Sequence, residues 1–265
     1  MRVIVVLTLL LTLSHAKVYY AKVEPYEIRD VSSNVSGLII SADKALVGTK
    51  LTSKAYIEID SEVDSKELRL TKEKLMYTKN SLEINEAVLV NLEDLLVKKR
   101  ENYRKIEPLK FKSSVEKDRE FYDLITSENL YLTTRKEIQN LKIQIADLEL
   151  REVQLQRSIR DKKLTAEGFV LYEMLVKPEQ VVGVATPLAK IADTSKAILS
   201  IYLDDTDVLD ARSKVVYIDG QKSGYKISRL LNIADGKNIS KYLAQIVIES
   251  PKLFSKLVKV ELRDE

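Results

Sequence analysis

Histidine and cysteine, the side chains that most often serve as general base, nucleophile or soft-metal ligand, are almost missing from this chain. It has one histidine, His15, and no cysteine. His15 lies in a stretch that reads as removed on export. Met1-Arg2 supplies a positive charge, Val3 to Leu13 is an apolar run, and Ser14-His15-Ala16 offers small residues before a cleavage point. That is the pattern of a secretory signal peptide, and the run is too short to span a bilayer. A mature chain starting at Lys17 would have to work with carboxylates, Lys, Ser, Thr or Tyr alone, and no pair of carboxylates converges. Met76 and Met174 are too few for a thioether copper relay. The expectation is therefore a protein that is not an enzyme, with no metal and no cofactor. Its 43 basic and 40 acidic residues leave a net charge of +3, which gives no electrostatic footprint for nucleic acid.

The chemistry that remains is that of contact. Residues 104–117 read RKIEPLKFKSSVEK. Arg104, Lys105, Ile106, Pro108, Leu109, Phe111, Ser113 and Ser114 mix cations, apolar side chains and hydroxyls around one proline. Exposed Leu109 and Phe111 among cations are costly without a partner, which favours a docking role. Ser113-Ser-Val-Glu116 also matches a helix capping box, so Ser113 has two readings, contact or cap.

The flanking chain says how this segment is held. Between Gly48 and Gly168 there is no glycine, and Pro108 is the only proline. Leu68, Leu75, Leu82, Leu89, Leu96 and Tyr103 recur every seven residues before the proline. Leu124, Tyr131, Ile138, Ile145 and Ile159 do so after it, with Glu152 breaking the series and Leu141, Leu148 and Leu155 as companions. Sustained sevens argue for a coiled coil. Thr71, Thr78, Asn85, Leu92, Lys99 and Ile106 make weaker companions on the first side. Ser61-Glu-Val-Asp64 resembles a capping box, and cations sit where each helix would end. The spacing predicts helices over 61–106 and 114–162, each about 70 Å long, joined by a tight turn near 107–113. A short turn forces them antiparallel. The register expected sets Leu82 against Leu141, Leu75 against Leu148, Leu68 against Leu155, Leu92 against Tyr131 and Thr71 against Glu152.

Outside the hairpin the chain reads as strands rich in Val, Ile, Leu and Tyr, bounded by Gly, Pro, Asp and Ser. VSSNVSGLIISADKALVGTKLTSKAYIEID and LTAEGFVLYEMLVKPEQVVGVATPLAKIADTSKAILSIYL look like two halves of one unit. The second resembles lipoyl and biotinyl domains in its order Gly168, Val170, Gly183, Leu188, Ile191-Ala-Asp193. Such halves place Gly37, Gly48, Gly168 and Gly183 at turns that need positive φ. With a helical hairpin between the halves, the chain resembles the periplasmic membrane fusion (HlyD-type) adaptor family. ILSIYLDDTDVLD, YKISRLLNIADGKN and YLAQIVIESPKLFSKLVKVEL look like strands and the acidic turn of that family's β-barrel. The family's usual proline before the second half is absent from Thr165-Ala166-Glu167-Gly168.

The resemblance implies an α+β protein: a long antiparallel coiled-coil hairpin inserted into a split lipoyl-like β domain, followed by a β-barrel domain. Its expected parts are the signal peptide 1–16, a strand joining the barrel region 17–29, half of the lipoyl-like domain 30–60, the hairpin 61–163, the second half 164–195 and the barrel 196–265. The family's membrane-proximal domain is expected to be absent or minimal. Asp-Lys-Ala at Lys44 is the modified-lysine motif of true lipoyl domains, but here it lies within the first half, so an ordinary exposed lysine is expected. The resemblance further implies an adaptor in the periplasm, at the inner membrane, between an inner-membrane transporter and an outer-membrane TolC-like channel, assembled as a homo-oligomer (trimer or hexamer). The tip would meet the channel. The signal favours an RND-type transporter, with an ABC-linked one second and a structural periplasmic spacer as the competing class.

Overall fold

The computed structural model describes residues 17–234 and 241–264, so the expected signal peptide 1–16 and the segment DGKN lie outside the described residues. Strands β1 (Val18–Ser32), β2 (Gly37–Ala42) and β3 (Ile57–Ile59) precede two long helices, α1 (Glu62–Ile106) and α2 (Ser114–Asp161). Then come β4 (Lys163–Leu164), β5 (Val170–Met174), β6 (Val181–Val182) and β7 (Pro187–Leu203). A short helix α3 (Asp205–Val208) leads to β8 (Val215–Ile218), β9 (Gln221–Lys222), β10 (Ile227–Ala234), β11 (Tyr242–Glu249) and β12 (Leu257–Arg263). The chain is α+β, with the helical hairpin inserted into one β body and a second β body after it.

The two helices are held by a seam of alternating three- and four-residue steps. Leu75, Leu92 and Leu96 on α1 and Ile138, Leu141 and Leu155 on α2 are buried in it. Ion pairs across the hairpin fix the register. Lys79–Glu149 at 2.7 Å, Lys142–Glu86 at 3.0 Å and Arg100–Glu128 at 2.8 Å lie along one flank, and Arg151–Glu67 lies on the other. Antiparallel helices place all four within reach when Leu75 is level with Leu148 and Leu82 with Leu141, the register expected from the heptads. The chain has no cysteine of its own, so a Leu82→Cys, Leu141→Cys variant should close one intrachain disulfide, read as faster migration on a non-reducing gel. A one-heptad slip would leave both thiols free to alkylation.

The seam is more polar than the sequence suggested. Thr71, Thr78, Ser127 and Thr134 are as buried as the leucines. Their hydroxyls need not be orphaned, because a helical Thr or Ser can bond the carbonyl one turn back. Thr78 donates to Lys74 O at 2.8 Å and Ser127 to Asp123 O at 3.0 Å. The expected capping box at Ser61 is a correction. Ser61 makes no side-chain cap bond, and Asp60 instead accepts from the Glu62 N–H at 2.9 Å.

The β bodies have separate cores. A four-stranded sheet in the order β4-β3-β2-β6, with β5 and the first part of β7, encloses Ile39, Ile57, Ile59, Leu171, Val176 and Leu188. The second body runs β10-β11-β7-β1-β12-β8-β9. Its strands alternate with a period of two, so Ala197, Leu199, Ile201 and Leu203 of β7 face Val23, Ala244, Ile246 and Val260. Among the described residues β10 and β9 end the row of paired strands, so the expected barrel is an open half-barrel. The segment beginning at Lys17 does supply a strand: Val18 pairs with Glu261 and Lys22 with Leu257. β1 and β7 run unbroken through both bodies as an antiparallel ribbon, with a register shift between Pro25 and Glu27. The divisions expected at residues 29/30 and 195/196 therefore fall inside continuous strands.

Candidate functional site

The glycines define how the split body is closed at the foot of the hairpin. Gly48 has φ +83° and Gly168 φ +89°, the left-handed region that favours glycine. The strands after them interlock. The Gly48 N–H donates to Leu171 O at 2.8 Å, Leu51 N–H to Phe169 O at 2.7 Å, and Gly168 N–H to Leu51 O at 3.1 Å. Gly37 and Gly183 correct the expectation, since neither has positive φ. A Cβ on Gly37 would meet Ile59 Cγ2 at 2.6 Å, so that glycine is a close-packing position. Beside Gly183 the left-handed residue is Ala185, at φ +65°. Lys44 opens a one-turn 3-10 helix capped by Asp43, inside the first half, and the hairpin occupies the connection between halves.

At the foot, Asp64 ties the two helices together. It accepts from Ser158 Oγ at 2.5 Å and pairs with Lys162 at 3.1 Å. Burial raises its pKa, but those two donors outweigh it and hold the carboxyl below the usual range. A depressed native pKa gives stability that is present above the unfolded value and lost as pH falls through the native one. Asp64→Asn should therefore cost about 1 kcal/mol at pH 7, read as a lower melting temperature. The gap to the parent protein should close as the pH falls well below the ordinary aspartate pKa. A gap that persists unchanged in acid would remove the carboxylate from this role.

The acidic turn DDTD, at the start of α3, fastens the first strand of the half-barrel. Lys17 pairs with Asp204 and with Asp207, and the Tyr19 hydroxyl donates to Asp207. Burial and the neighbouring carboxylate push the Tyr19 phenol well above its ordinary pKa. Burial alone would raise Asp207, yet the bonds from Tyr19 and Lys17 hold it low. This is a structural staple.

At the far end all eight tip residues come together. Arg104 and Lys105 occupy the last turn of α1, where cations offset the helix dipole. The turn closes through Leu109 N–H to Ile106 O at 3.1 Å and Lys112 N–H to Leu109 O at 3.4 Å. Pro108 stops α1, Ile106 and Leu109 are half-buried, and Ser114 is the exposed first residue of α2. Ser113 is the cap. Its hydroxyl accepts from the Glu116 N–H at 3.3 Å, and Glu116 accepts from the Ser113 N–H at 3.1 Å. Lys112, then Ser113, hold the Glu116 carboxyl below its usual range. Among the described residues Arg104, Lys105 and Lys110 have no carboxylate in ion-pair range, whereas Lys112 pairs with Glu116 at 3.1 Å. Phe111 is 80% exposed, and Val115, which the sequence reading passed over, is 75% exposed. Behind them the Tyr103 and Phe121 rings meet at a tilt of 50°, centroids 5.6 Å apart, a contact the heptads imply once the register is known.

A cleft of about 260 Å³ lies at the hairpin foot beside Tyr56 and Arg160, one of about 190 Å³ between the β bodies, and an open groove of about 370 Å³ on α1 beside Leu75 and Met76. Among the described residues no group of acidic or histidine side chains could hold a metal ion, and no helix is long and apolar enough to cross a membrane.

No family model matches the chain, and neither does any curated protein sequence. Solved structures do. MacA from Actinobacillus actinomycetemcomitans matches at 19% identity over 93% of this chain and 78% of its own, with a TM-score of 0.67. A MacA-MexA chimera carrying the Pseudomonas aeruginosa MexA α-hairpin domain matches at 15% identity over 94% and 82%, with a TM-score of 0.62. The membrane fusion protein Spr0693 from Streptococcus pneumoniae R6 matches at 10% identity over 94% and 100%, with a TM-score of 0.52. The chain has the fold of the membrane fusion proteins, from the half-barrel to the hairpin tip.

Proposed function

We propose that this chain is the periplasmic adaptor of a tripartite efflux or secretion system, joining an inner-membrane transporter to an outer-membrane TolC-like channel and carrying out no catalysis. One observation carries the reading: a slender hairpin about 70 Å long presents unpaired Arg104 and Lys105 beside exposed Phe111, far from every β core. A tip of that composition suits the end of a partner's helices. Copies of the chain would form a ring, as a trimer or hexamer, with β bodies side by side on the transporter. The export signal read in the first sixteen residues favours an RND-type transporter over an ABC-linked one. Purification of the tagged protein from cross-linked cell envelopes, with mass spectrometry of what accompanies it, tests this. Recovery of a transporter together with an outer-membrane channel supports the adaptor and names the transporter class. Recovery of neither would leave a periplasmic spacer as the better description.

A further inference from the structure

The cleft at the foot of the hairpin holds polar groups that the fold leaves unanswered. Its volume is about 260 Å³, and it lies where three segments meet: the end of β1, the approach to β3 and the junction of α2 with β4. A space of that size suits a small guest rather than a drug-sized one. Tyr56 is only 2% exposed and packs in the core of the split body, yet it lines the cleft and makes no side-chain hydrogen bond among the described residues. No fully buried side-chain oxygen among the described residues lacks a partner, so the phenol oxygen is the part of Tyr56 that reaches the cleft. Burial pushes its pKa up to about 12, which keeps it a neutral donor. A hydroxyl held in a core without a partner costs free energy that a bound acceptor would recover.

Charges of both signs stand beside it. Asp161 is the last residue of α2, and its side chain is 20% exposed on the cleft. Its ion pairs, with Arg157 at 3.7 Å and Arg160 at 4.0 Å, are both beyond hydrogen-bond reach, so the carboxylate accepts no hydrogen bond among the described residues. The C-terminal end of a helix also favours a cation. Arg160 has only that distant pair, and Lys163 has no ion pair among the described residues. Val31, Leu164 and Ile191 supply apolar wall.

We propose that this cleft binds a small zwitterion with an apolar side chain, in class a free α-amino acid. The ammonium goes to Asp161 and the end of α2. The carboxylate goes to Lys163, Arg160 and the Tyr56 hydroxyl. An anion alone would leave Asp161 unanswered and face the negative end of the helix. A cation alone would leave Lys163 and Tyr56 unanswered. The guest would touch all three segments and so brace the foot of the hairpin against the split body. The site is separate from the tip and goes beyond the adaptor reading without depending on it.

Titration calorimetry of the full-length protein with L-leucine tests this. One leucine should bind per chain. Isocaproate, which lacks the amino group, and isoamylamine, which lacks the carboxylate, should each bind about tenfold more weakly or worse, since each forgoes charge-assisted hydrogen bonds. Tyr56→Phe keeps the ring and its packing, and should weaken leucine severalfold with the circular dichroism spectrum unchanged. Asp161→Asn should bring leucine and isocaproate to similar affinity. Equal binding of leucine and isocaproate by the parent protein would reduce the cleft to an oxyanion site and overturn the proposal. So would the absence of heat with leucine at tens of millimolar, or leucine binding that Tyr56→Phe and Asp161→Asn both leave unchanged, which would place the guest elsewhere.

Discussion

Phe111→Asp leaves the hairpin folded and abolishes recovery of the outer-membrane channel with the tagged protein. The side chain is 80% exposed and lies in the turn between helices, so folding loses almost nothing when it is replaced. A buried aromatic at the centre of an interface, by contrast, commonly costs 2 kcal/mol or more when removed, about thirtyfold in affinity. A carboxylate there also sets a negative charge among Arg104, Lys105 and Lys110, the cations offered to the partner. Leu109→Asp and Arg104→Asp should act in the same direction. Ser113→Ala should not behave this way. It removes a cap worth about 1 kcal/mol and should loosen the turn while leaving channel recovery largely intact. Unchanged recovery with both Phe111→Asp and Arg104→Asp would mean that the tip is not where the channel is met.

The second large effect concerns the two cores. Leu199 and Leu188 are both fully buried on the single strand β7, Leu199 in the half-barrel core and Leu188 in the split body. Truncating either to alanine should cost about 2–5 kcal/mol through lost transfer energy and the cavity left behind. The consequence should differ between them. Leu188→Ala weakens the body from which the hairpin springs, where Leu171 and Ile59 pack. Leu199→Ala weakens the body closed by β11 and β12. If the cores are independent, each variant lowers one of two calorimetric transitions by several degrees and leaves the other in place. A single transition lowered equally by both would show that the shared ribbon couples them into one cooperative unit.

The hairpin was legible because its signal repeats. Six positions from Leu68 to Tyr103 are apolar at every seventh residue, and one proline in a glycine-free stretch can only be the bend. Individual seam positions were less so. Thr71 and Thr78 look like weak points on a hydrophobicity scale, yet both are buried in the seam, and the Thr78 hydroxyl bonds the Lys74 carbonyl one turn back. The glycines were legible where the backbone conformation demanded one, at Gly48 and Gly168. They were not where the reason is a neighbour, because nothing local in the sequence says that Ile59 lies against Gly37. The unbroken ribbon was hidden as well. Asp193-Thr194-Ser195-Lys196 has the composition of a loop, yet it stays within β7, with Asp193 paired to Glu27 of β1 and Lys196 to Glu249 of β11. At the tip, the eight residues named from sequence do share one end of the molecule. Which hydroxyl was a cap depended on whether Glu116 could fold back to Ser113, and it does.

The ribbon has a mechanical meaning. Two bodies joined by a flexible linker would move independently, and a push on one would be lost before it reached the other. β1 and β7 instead form a leaf spring, stiff along its length and softest at the shift between Pro25 and Glu27, where the ladder is interrupted. The hairpin is a lever fixed to one end of that spring. A tilt of about 10° at the spring swings a 70 Å arm by about 12 Å at its tip, about the width of a helix. Small rearrangements at the half-barrel would thus be magnified into the stroke that engages or releases whatever the tip holds.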